Sequence, residues 1–385
     1  MSKAKTAKQI RAAADAVAQS LTANPAPASS DLLSTGSALL NIAISGDPSG
    51  AIPKGTYLYF VGDSGSGKSW FSLGLFAEAV RNPAFKKYSF VFDNAENGAL
   101  MDVEKFFGAQ VPKRMVPPCK DDSPGSRSLE EFYFNVERAV RRGPCIYVLD
   151  SMDSIQPESE EKNFEAKLHY HDTGKGKDAV KGSMGMAKAK VNANHISRIA
   201  NTTLRSNGSI LVVISQTRDL LNAQFPGMRT RSGGKALRFY AHVEAWTKVK
   251  GVIKKHHRGK DREIGAYVEV DVQKNRVSGW EGKLPLLSFI KGYGFDDVGS
   301  CVDYLLEERH WKPEKAQAIK KPYQGEEEEA KPKSFSAPEF EYTGDKEGLV
   351  RLIQESGQEP KLAQIAADLW KSIAAGAAPV RKPRY

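Results

Sequence analysis

The sequence is short of cysteine and of long apolar runs. Its three cysteines, Cys119, Cys145 and Cys301, are scattered, with neither metal-ligand spacing nor a disulfide framework, and this fits a reducing compartment. No run of about 18 apolar residues is present, so we expect no membrane span. The basic N-terminus also lacks the apolar stretch of a secretory signal. These absences argue against zinc chemistry, secretion and a membrane partner, and they favour a cytoplasmic protein.

The charge balance of the chain is basic. At 385 residues the chain is long enough for one large domain with one or two small ones. Lysine and arginine exceed aspartate and glutamate, which gives a formal net charge of +10. An excess of this size suggests a polyanionic partner, although many soluble proteins are equally basic. The position of the charges has to decide between these two interpretations.

Short apolar runs alternate with helical patterns through the middle of the chain. Continuous runs of this kind are typical of strands buried on both faces of a parallel sheet. The runs lie at 57–61, 88–92, 145–149 and 209–214, and the helical patterns at 70–81, 129–142 and 185–206. From Ala241 onward apolar and polar residues alternate, which predicts antiparallel hairpins at one edge. The expected fold is α/β, with a doubly wound, mostly parallel sheet.

The two ends of the chain differ in composition from this core. Residues 5–22 predict a short amphipathic helix, followed by a Pro/Ala/Ser linker. Its narrow apolar stripe must dock on the rest of the chain or on a neighbouring copy. After Trp311 the sequence is rich in Lys, Pro and Glu. The predicted parts are an N-terminal helix with its linker, a core, a second linker, and a small helical C-terminal region with a basic tail, at 1–32, 33–311, 312–343 and 344–385.

A phosphate-binding loop follows the first apolar run. Residues 62–69 read G-x-x-x-x-G-K-S and stand between a buried strand and an apolar helix. The glycines let successive backbone N–H groups point at phosphate oxygens, and the helix N-terminus adds its dipole. Lys68 is expected to contact the β- and γ-phosphates of ATP, and Ser69 to hold Mg²⁺. The predicted loop consists of Gly62, Asp63, Ser64, Gly65, Ser66, Gly67, Lys68 and Ser69.

A polar residue follows each of the three other apolar runs. Each of these residues is expected at the sheet edge where the phosphate-binding loop lies. Asp150 follows the third run and is predicted to hold Mg²⁺ with Ser69. Glu96 follows the second run and could orient a water for in-line attack on the γ-phosphate, with Asp93 or a simple loop carboxylate as the competing interpretation. Gln216 ends the fourth run and could hydrogen-bond the γ-phosphate. Sequence position alone does not separate these alternatives.

Two long basic segments leave the same edge of the sheet. The second segment, about 217–235, combines cations and apolar side chains with a flexible Gly-Gly pair, which suits single-stranded nucleic acid. The first segment, about 156–183, is basic in its later half, and His169 and His171 are interpreted as surface residues of a mobile loop. A solvated basic loop is the alternative for the second segment. The residues predicted to contact DNA are Lys175, Lys177, Lys181, Arg218, Phe225, Met228, Arg229, Arg231, Gly233, Gly234 and Lys235.

A third basic cluster runs from Lys248 to Arg262 and includes His256 and His257. It falls in a predicted hairpin turn. Contact with duplex DNA and simple solvation are both compatible with this pattern, and the sequence does not choose between them.

Taken together, these residues resemble the RecA recombinase family, and especially its phage branch typified by UvsX, over roughly residues 33–311. The lead-in to the phosphate loop at 34–55 and the segment 92–96 are similar to family segments, which implies Glu96 as the catalytic carboxylate. The resemblance also implies that Gln216 senses the γ-phosphate. Met184 with the following glycine resembles the end of the first DNA-binding loop, and 232–241 resembles the end of the second.

The resemblance further implies contacts between subunits. Segment 272–276 is similar to the family segment whose basic residues reach a neighbour's ATP, so Lys274 and Arg276 are expected to stabilise the γ-phosphate in trans. ATP would then be sealed between protomers of a helical filament, with the helix over 5–22 as the polymerisation arm. The expected partners are other copies of the chain, single-stranded DNA, double-stranded DNA during exchange, and single-strand-binding or mediator proteins.

The function predicted in this way is that of a DNA-dependent ATPase recombinase, located in the bacterial host cytoplasm if the chain is phage-encoded. A ring-forming RecA-fold motor or RadA-like repair ATPase would share Glu96 and Asp150, but it is not expected to carry segment 233–240 after a basic loop. A non-catalytic, ATP-gated DNA-binding scaffold is the third alternative. The chain departs from the family pattern at Asn94, where an aspartate is usual, and at Val103, where bacterial members carry an aromatic that stacks on adenine.

Overall fold

The computed structural model of the chain describes residues 28–174, 184–219, 229–312 and 334–377, and the predicted helix over 5–22 lies outside them. The α-helices are Ala38–Ser45 (α1), Lys68–Arg81 (α2), Val103–Phe107 (α3), Leu129–Arg142 (α4), Glu158–Thr173 (α5), Met184–Arg198 (α6), Lys235–Tyr240 (α7), Asp297–Glu307 (α8), Lys346–Ser356 (α9) and Glu359–Ala377 (α10). The strands are Leu32–Leu33 (β1), Ile52–Pro53 (β2), Tyr57–Gly62 (β3), Ser89–Asp93 (β4), Cys145–Leu149 (β5), Ile210–Asp219 (β6), Arg229–Arg231 (β7), Val243–His257 (β8), Lys260–Asn275 (β9), Gly282–Lys283 (β10), Leu287–Ile290 (β11), Gly294–Phe295 (β12), Phe335–Ala337 (β13) and Tyr342–Gly344 (β14).

One mixed sheet forms the centre of the fold. Its strand order is β12-β11-β9-β8-β3-β6-β5-β4, with β10 paired to β9 and β7 to β6. Neighbouring strands from β8 to β4 run parallel, and β9 to β12 extend the sheet through antiparallel pairings. This confirms the predicted α/β core with antiparallel hairpins at one edge.

Two apolar clusters cover the two faces of the sheet. Leu58 and Phe60 of β3 belong to a cluster with α1, α2, α8, α9 and α10. Tyr57 and Tyr59 belong to the other cluster, with α4, α6 and α7. Successive side chains of β3 enter opposite clusters because side chains alternate along a strand. A strand buried on both faces accounts for the continuous apolar run in the sequence.

The first half of the segment 156–183 is helical, so its interpretation as a mobile loop is wrong there. Pro157 precedes α5, the first turn contains three glutamates, and Gly174 ends the helix with φ of +66°. Acidic residues in a first turn stabilise the helix dipole, and glycine readily adopts the left-handed cap. His169 and His171 are exposed on this helix. No α5 side chain is buried, so a core-facing periodicity could not reveal the helix.

Two other regions differ in detail from the sequence prediction. The helix predicted over 185–206 is α-helical to Arg198 and continues as a π turn, Ile199–Thr203, and a 3₁₀ turn, Leu204–Ser206. The predicted linker 312–343 ends in the hairpin of β13 and β14, where Phe335 stacks on Trp311. None of the helices in the described parts of the chain combines the length and apolar character that crossing a bilayer requires.

Candidate functional site

The loop between β3 and α2 depends on glycine for its shape. Gly65 and Gly67 have φ of +76° and +83°, in the left-handed region that favours glycine. A Cβ atom on Gly62 would lie 1.9 Å from Oγ1 of Thr247 on β8. The Ser66 hydroxyl forms a 2.7 Å hydrogen bond with the same Oγ1. Strand β8 therefore supports the loop from the side, a contact that the motif spacing does not reveal.

The first two residues of α2 direct polar groups into the site. Lys68 Nζ donates to the carbonyl oxygens of Gly62 and Asp63 at 3.0 and 2.7 Å. Ser69 Oγ donates to Asp150 Oδ2 at 2.5 Å. Burial lowers the pKa of Lys68 and raises the pKa of Asp150, because each charged form loses water. A polyphosphate and a cation would each supply an opposite charge, so these residues fit the ligands expected from the sequence.

The oxygen donors of Ser69 and Asp150 suit Mg²⁺, which is commonly held by one or two protein groups together with phosphate oxygens and water. Among the residues that the structure describes, no three His, Cys, Asp or Glu side chains gather as a preformed metal site. A cation here would therefore bind together with a phosphate ligand rather than in a cage of protein side chains.

Glu96 contacts the ends of the two central strands beside the loop. Its Oε1 accepts a hydrogen bond from Gln216 Nε2 at 3.1 Å, and its Oε2 accepts one from Ser151 Oγ at 3.0 Å. Its backbone N–H donates to the carbonyl of Asp150 at 2.9 Å. Three residues predicted separately from strand ends, Glu96, Asp150 and Gln216, therefore lie together at one edge of the sheet.

The geometry distinguishes Glu96 from Asp93, the competing carboxylate. Asp93 is fully buried. Its carboxylate accepts hydrogen bonds from the backbone N–H and hydroxyl of Ser126 and from the Tyr147 hydroxyl, each at 2.6 Å. Asp93 is thus committed to holding a loop, whereas Glu96 faces the side chain of Gln216.

A carboxylate that the sequence analysis did not single out connects this site with the second basic segment. Asp153 Oδ2 accepts from Ser215 Oγ and from the backbone N–H of Gln216, at 2.7 Å each. Its Oδ1 lies 3.2 Å from Arg218 Nη2 in the second segment. On α6, burial lowers the pKa of Lys188 to about 8, while the charge of Asp153 opposes this shift. Asp153 thus joins the predicted γ-phosphate sensor to Arg218 of the second segment.

The end of the second segment packs directly against α6, the helix that follows the first segment. The Gly233 carbonyl accepts a hydrogen bond from Asn192 Nδ2 of α6 at 2.8 Å. Gly233 and Gly234 have φ of +91° and +83°, and a Cβ on Gly234 would lie 2.7 Å from the Cβ of Ala189 on α6. Lys235 then begins α7 with an exposed side chain. The glycine pair therefore provides a close approach of two helices rather than the flexibility expected from the sequence.

Arg231, predicted to contact DNA, points into the protein. Its side chain is 13% exposed, and its Nη2 lies 3.1 Å from Oε1 of the fully buried Glu244. The guanidinium lies 5.5 Å from the ring centroids of Tyr59 and Trp246. Glu244 also pairs with Arg238 at 3.1 Å. Arg231 thus occupies a structural position in this conformation, and its partner on β8 gives no signal in the local sequence.

The other residues predicted to contact DNA are placed as follows. Arg218 is exposed and paired with Asp153. The backbone of Met184 begins α6 and that of Arg229 begins β7. The remaining five, which lie outside the described residues, are Lys175, Lys177, Lys181, Phe225 and Met228.

Lys274 and Arg276 lie at the end of β9, which β8 separates from β3. Lys274 Nζ donates to the carbonyls of Arg238 and Phe239 at 2.7 and 2.6 Å, and Arg276 Nη2 donates to that of Phe239 at 2.9 Å. Burial, together with the charge of Arg276, lowers the pKa of Lys274 to about 8. Lys274 and the exposed Phe239 line an open cleft of about 700 Å³. Such crowding of cations is typical of a site completed by an anion.

An aromatic surface lies beside the phosphate loop. Trp70 follows Ser69 directly, and its ring centroid lies 5.0 and 5.1 Å from those of Phe106 and Phe107. Val103, noted as a departure from the family pattern, begins α3 and lines a separate cavity of about 340 Å³. A tryptophan immediately after the G-K-S motif was the available signal for this surface, and the sequence analysis did not use it.

Comparison of the sequence with known proteins gives one family profile and several similar proteins. The sequence profile described as the RecA N-terminal domain matches residues 15–284. Similar proteins include protein RecA of Rickettsia massiliae, 27% identical over 277 residues that span 71% of this chain and 70% of that protein. Protein RecA of Thioalkalivibrio sulfidiphilus is 26% identical over 282 residues, which span 72% of this chain and 71% of that protein. Protein RecA of Rickettsia bellii is 28% identical over 275 residues, which span 70% of this chain and 69% of that protein. The chain belongs to the RecA family.

Proposed function

We propose that this RecA-family protein is a DNA-dependent ATPase that forms ATP-gated filaments on single-stranded DNA and exchanges strands with a homologous duplex. The observation that carries the proposal is the series of contacts from Glu96 through Gln216 to Asp153 and Arg218. These contacts connect the expected position of the γ-phosphate with the beginning of the second basic segment. Nucleotide occupancy can therefore change the arrangement of residues that face DNA.

Each residue of the phosphate site has a defined task in this proposal. The backbone of 62–69 binds the triphosphate, and Lys68 exchanges its two carbonyl partners for phosphate oxygens. Ser69 and Asp150 hold Mg²⁺, which neutralises phosphate charge when bound. Glu96 orients the attacking water and accepts its proton. The aromatic surface of Trp70 lies beside the loop and serves as a contact for the nucleobase.

The coupling to DNA depends on Gln216. Its side-chain amide is bonded to Glu96, while its backbone N–H is bonded to Asp153. A γ-phosphate competes with Glu96 for the amide, so nucleotide binding rearranges the end of β6. Because Asp153 also pairs with Arg218, that rearrangement reaches the second segment. The rearrangement also reaches α6, the helix after the first segment, because Gly233 and Gly234 pack on it.

The filament contact belongs to the cleft beside Lys274. In the proposal a neighbouring protomer presents its nucleotide there, and Lys274 and Arg276 stabilise the γ-phosphate in trans. An anion in the cleft offsets the burial and the repulsion from Arg276 that now lower the pKa of Lys274. The UvsX-like phage branch is proposed on the resemblance of the motifs within residues 33–311, taken together.

Electron microscopy tests the proposal. Purified protein with single-stranded DNA and a slowly hydrolysed ATP analogue is expected to form helical filaments, and to form none without nucleotide. Lys68→Ala is expected to abolish the filaments, whereas Lys86→Ala, at an exposed lysine outside the site, leaves them intact. Closed rings, or equal single-strand binding with and without nucleotide, would contradict the proposal.

A further inference from the structure

The hairpin of β8 and β9 extends well beyond the body of the sheet. Strand β3 pairs with β8 only as far as Thr247, and β11 pairs with β9 only from Gly265 onward. Beyond these points, the described residues show β8 and β9 paired only with each other, up to the turn at Arg258 and Gly259. Residues 254–263, here called the ribbon, are all exposed. The turn at Arg258 lies eleven residues along the chain beyond Thr247, which is about 36 Å at about 3.3 Å per residue.

The ribbon extends from the edge that carries the phosphate loop. Thr247 contacts both Gly62 and Ser66 of that loop, and β8 continues from there in the direction in which β3 ends. Both basic segments also leave this edge, beyond β5 and β6. The ribbon is thus on the side of the protein where the proposed function places DNA.

The charges of the ribbon are sorted between its two faces. Residues directly opposite each other on paired strands share a face, and successive pairs alternate. One face carries Lys254 opposite Glu263 and His256 opposite Asp261, with side-chain contacts between His256 and Asp261 at 2.8 Å and between Glu263 and Lys291 at 2.6 Å. We call this the paired face. On this face each basic residue stands opposite a carboxylate.

The other face, here called the cationic face, carries Lys255 opposite Arg262 and His257 opposite Lys260, with no carboxylate among these four residues. Like charges placed directly opposite each other destabilise a strand pair. The pairing of these like charges therefore contributes no stability to the fold in the absence of a ligand. A polyanion along the cationic face would supply the missing negative charge.

We propose that the cationic face of the ribbon binds the phosphate backbone of double-stranded DNA, a role that rests on the proposed function in strand exchange. A two-stranded ribbon is narrow enough to follow a groove of the duplex. The ribbon has no Phe, Tyr or Trp on which bases of a single strand could stack. It also has no apolar side chain that would insert into a membrane. Its chemistry therefore favours duplex DNA over a single strand or a lipid surface.

Two double variants of the full chain test the proposal, each removing two positive charges. Lys255→Ala with Arg262→Ala changes the cationic face, and Lys254→Ala with Lys291→Ala is the matched control on the paired face. The first double variant removes two like charges that face each other, so it leaves the fold intact. Binding of a fluorescein-labelled, mixed-sequence duplex without nucleotide is measured by anisotropy across a salt series. The cationic-face variant is expected to bind about tenfold more weakly, with a salt slope lower by about 2, and the control within about twofold of wild type.

Equal effects of the two double variants on duplex binding would overturn the proposal. So would a loss confined to binding of anionic phosphatidylserine vesicles, with duplex binding unchanged. ATP-dependent binding to single-stranded DNA is measured on the same proteins. If wild type lacks it, the proposed function fails, while the duplex measurement still decides whether the ribbon binds DNA. Wild-type single-strand binding in both variants, with duplex binding lost only in the first, supports the assignment.

Discussion

Two clusters of charged residues in this protein differ in the groups that bind their carboxylates. In the proposed nucleotide site, Glu96 and Asp150 accept hydrogen bonds from neutral side chains, namely those of Ser151, Gln216 and Ser69. In the second cluster, Glu244 is ion-paired with Arg231 and Arg238 and accepts from the Trp246 indole. The first cluster keeps its negative charge available, whereas the second neutralises it internally.

The difference separates residues that await a ligand from residues that hold the fold. A hydroxyl or amide is easily displaced by a cation or a phosphate, because no ion pair has to be broken. Removing one member of a buried ion pair instead leaves an uncompensated charge, which costs about 3–5 kcal/mol. Substitutions in the first cluster should therefore change chemistry with little effect on stability, and substitutions in the second should do the reverse.

The Glu96→Gln substitution is expected to have the largest effect, which is a loss of catalytic rate. The amide can keep the contacts to Gln216 and Ser151 but cannot accept a proton from water, so kcat for DNA-stimulated ATP hydrolysis should fall by about 10²–10⁴-fold. Phosphate release measures the rate, a fluorescent ATP analogue measures nucleotide affinity, and urea unfolding measures stability. Retained hydrolysis would refute the role of Glu96, and a large loss of stability would weaken the distinction between the clusters.

The second prediction concerns Glu244→Ala, which should lower the free energy of unfolding by about 3–5 kcal/mol, because Arg231 loses its buried partner. Urea unfolding checks this value. The matched control is Glu263→Ala, which breaks the exposed pair with Lys291 and should cost less than about 1 kcal/mol. If both variants lose the same stability, the second cluster is no more structural than a surface ion pair.

The smallest expected effect belongs to Asp153→Asn, which tests a residue with both kinds of partner. The amide keeps a carbonyl oxygen for Gln216 N–H but loses the charge that attracts Arg218. The ratio of ATPase rates with and without single-stranded DNA should fall about tenfold, equivalent to about 1.4 kcal/mol of coupling. Ser215→Ala removes one neutral hydrogen bond and should reduce the ratio less. An unchanged ratio in Asp153→Asn would show that the coupling runs elsewhere.

The sequence predicts well where signals are local. The phosphate loop follows from residue spacing, and the strands follow from short apolar runs between helical patterns. Glu96, Asp150 and Gln216 could be placed at one edge because parallel strands end at the same edge. Each of these predictions needs only neighbouring residues and one general rule of sheet topology.

The contacts that escaped prediction join residues on different elements. Arg231 looks like a DNA-binding cation in its segment, and only the register of β3 and β8 brings Tyr59 and Glu244 together beside it. Asp153 follows Asp150 closely and shows no distinguishing pattern, although it bonds to β6. Helix α5 packs no side chain into the core, so apolar periodicity could not reveal it.

The contact of Gly234 with Ala189 limits where this chain can change length. Any larger residue at 234 would push α7 away from α6. An insertion at this point would therefore misalign the end of the second basic segment with α6. Insertions between Gly174 and Met184 leave that contact unchanged. Natural or engineered variation in segment length is therefore expected to accumulate upstream of α6, where extra residues would leave the proposed ATP-sensing strand in place.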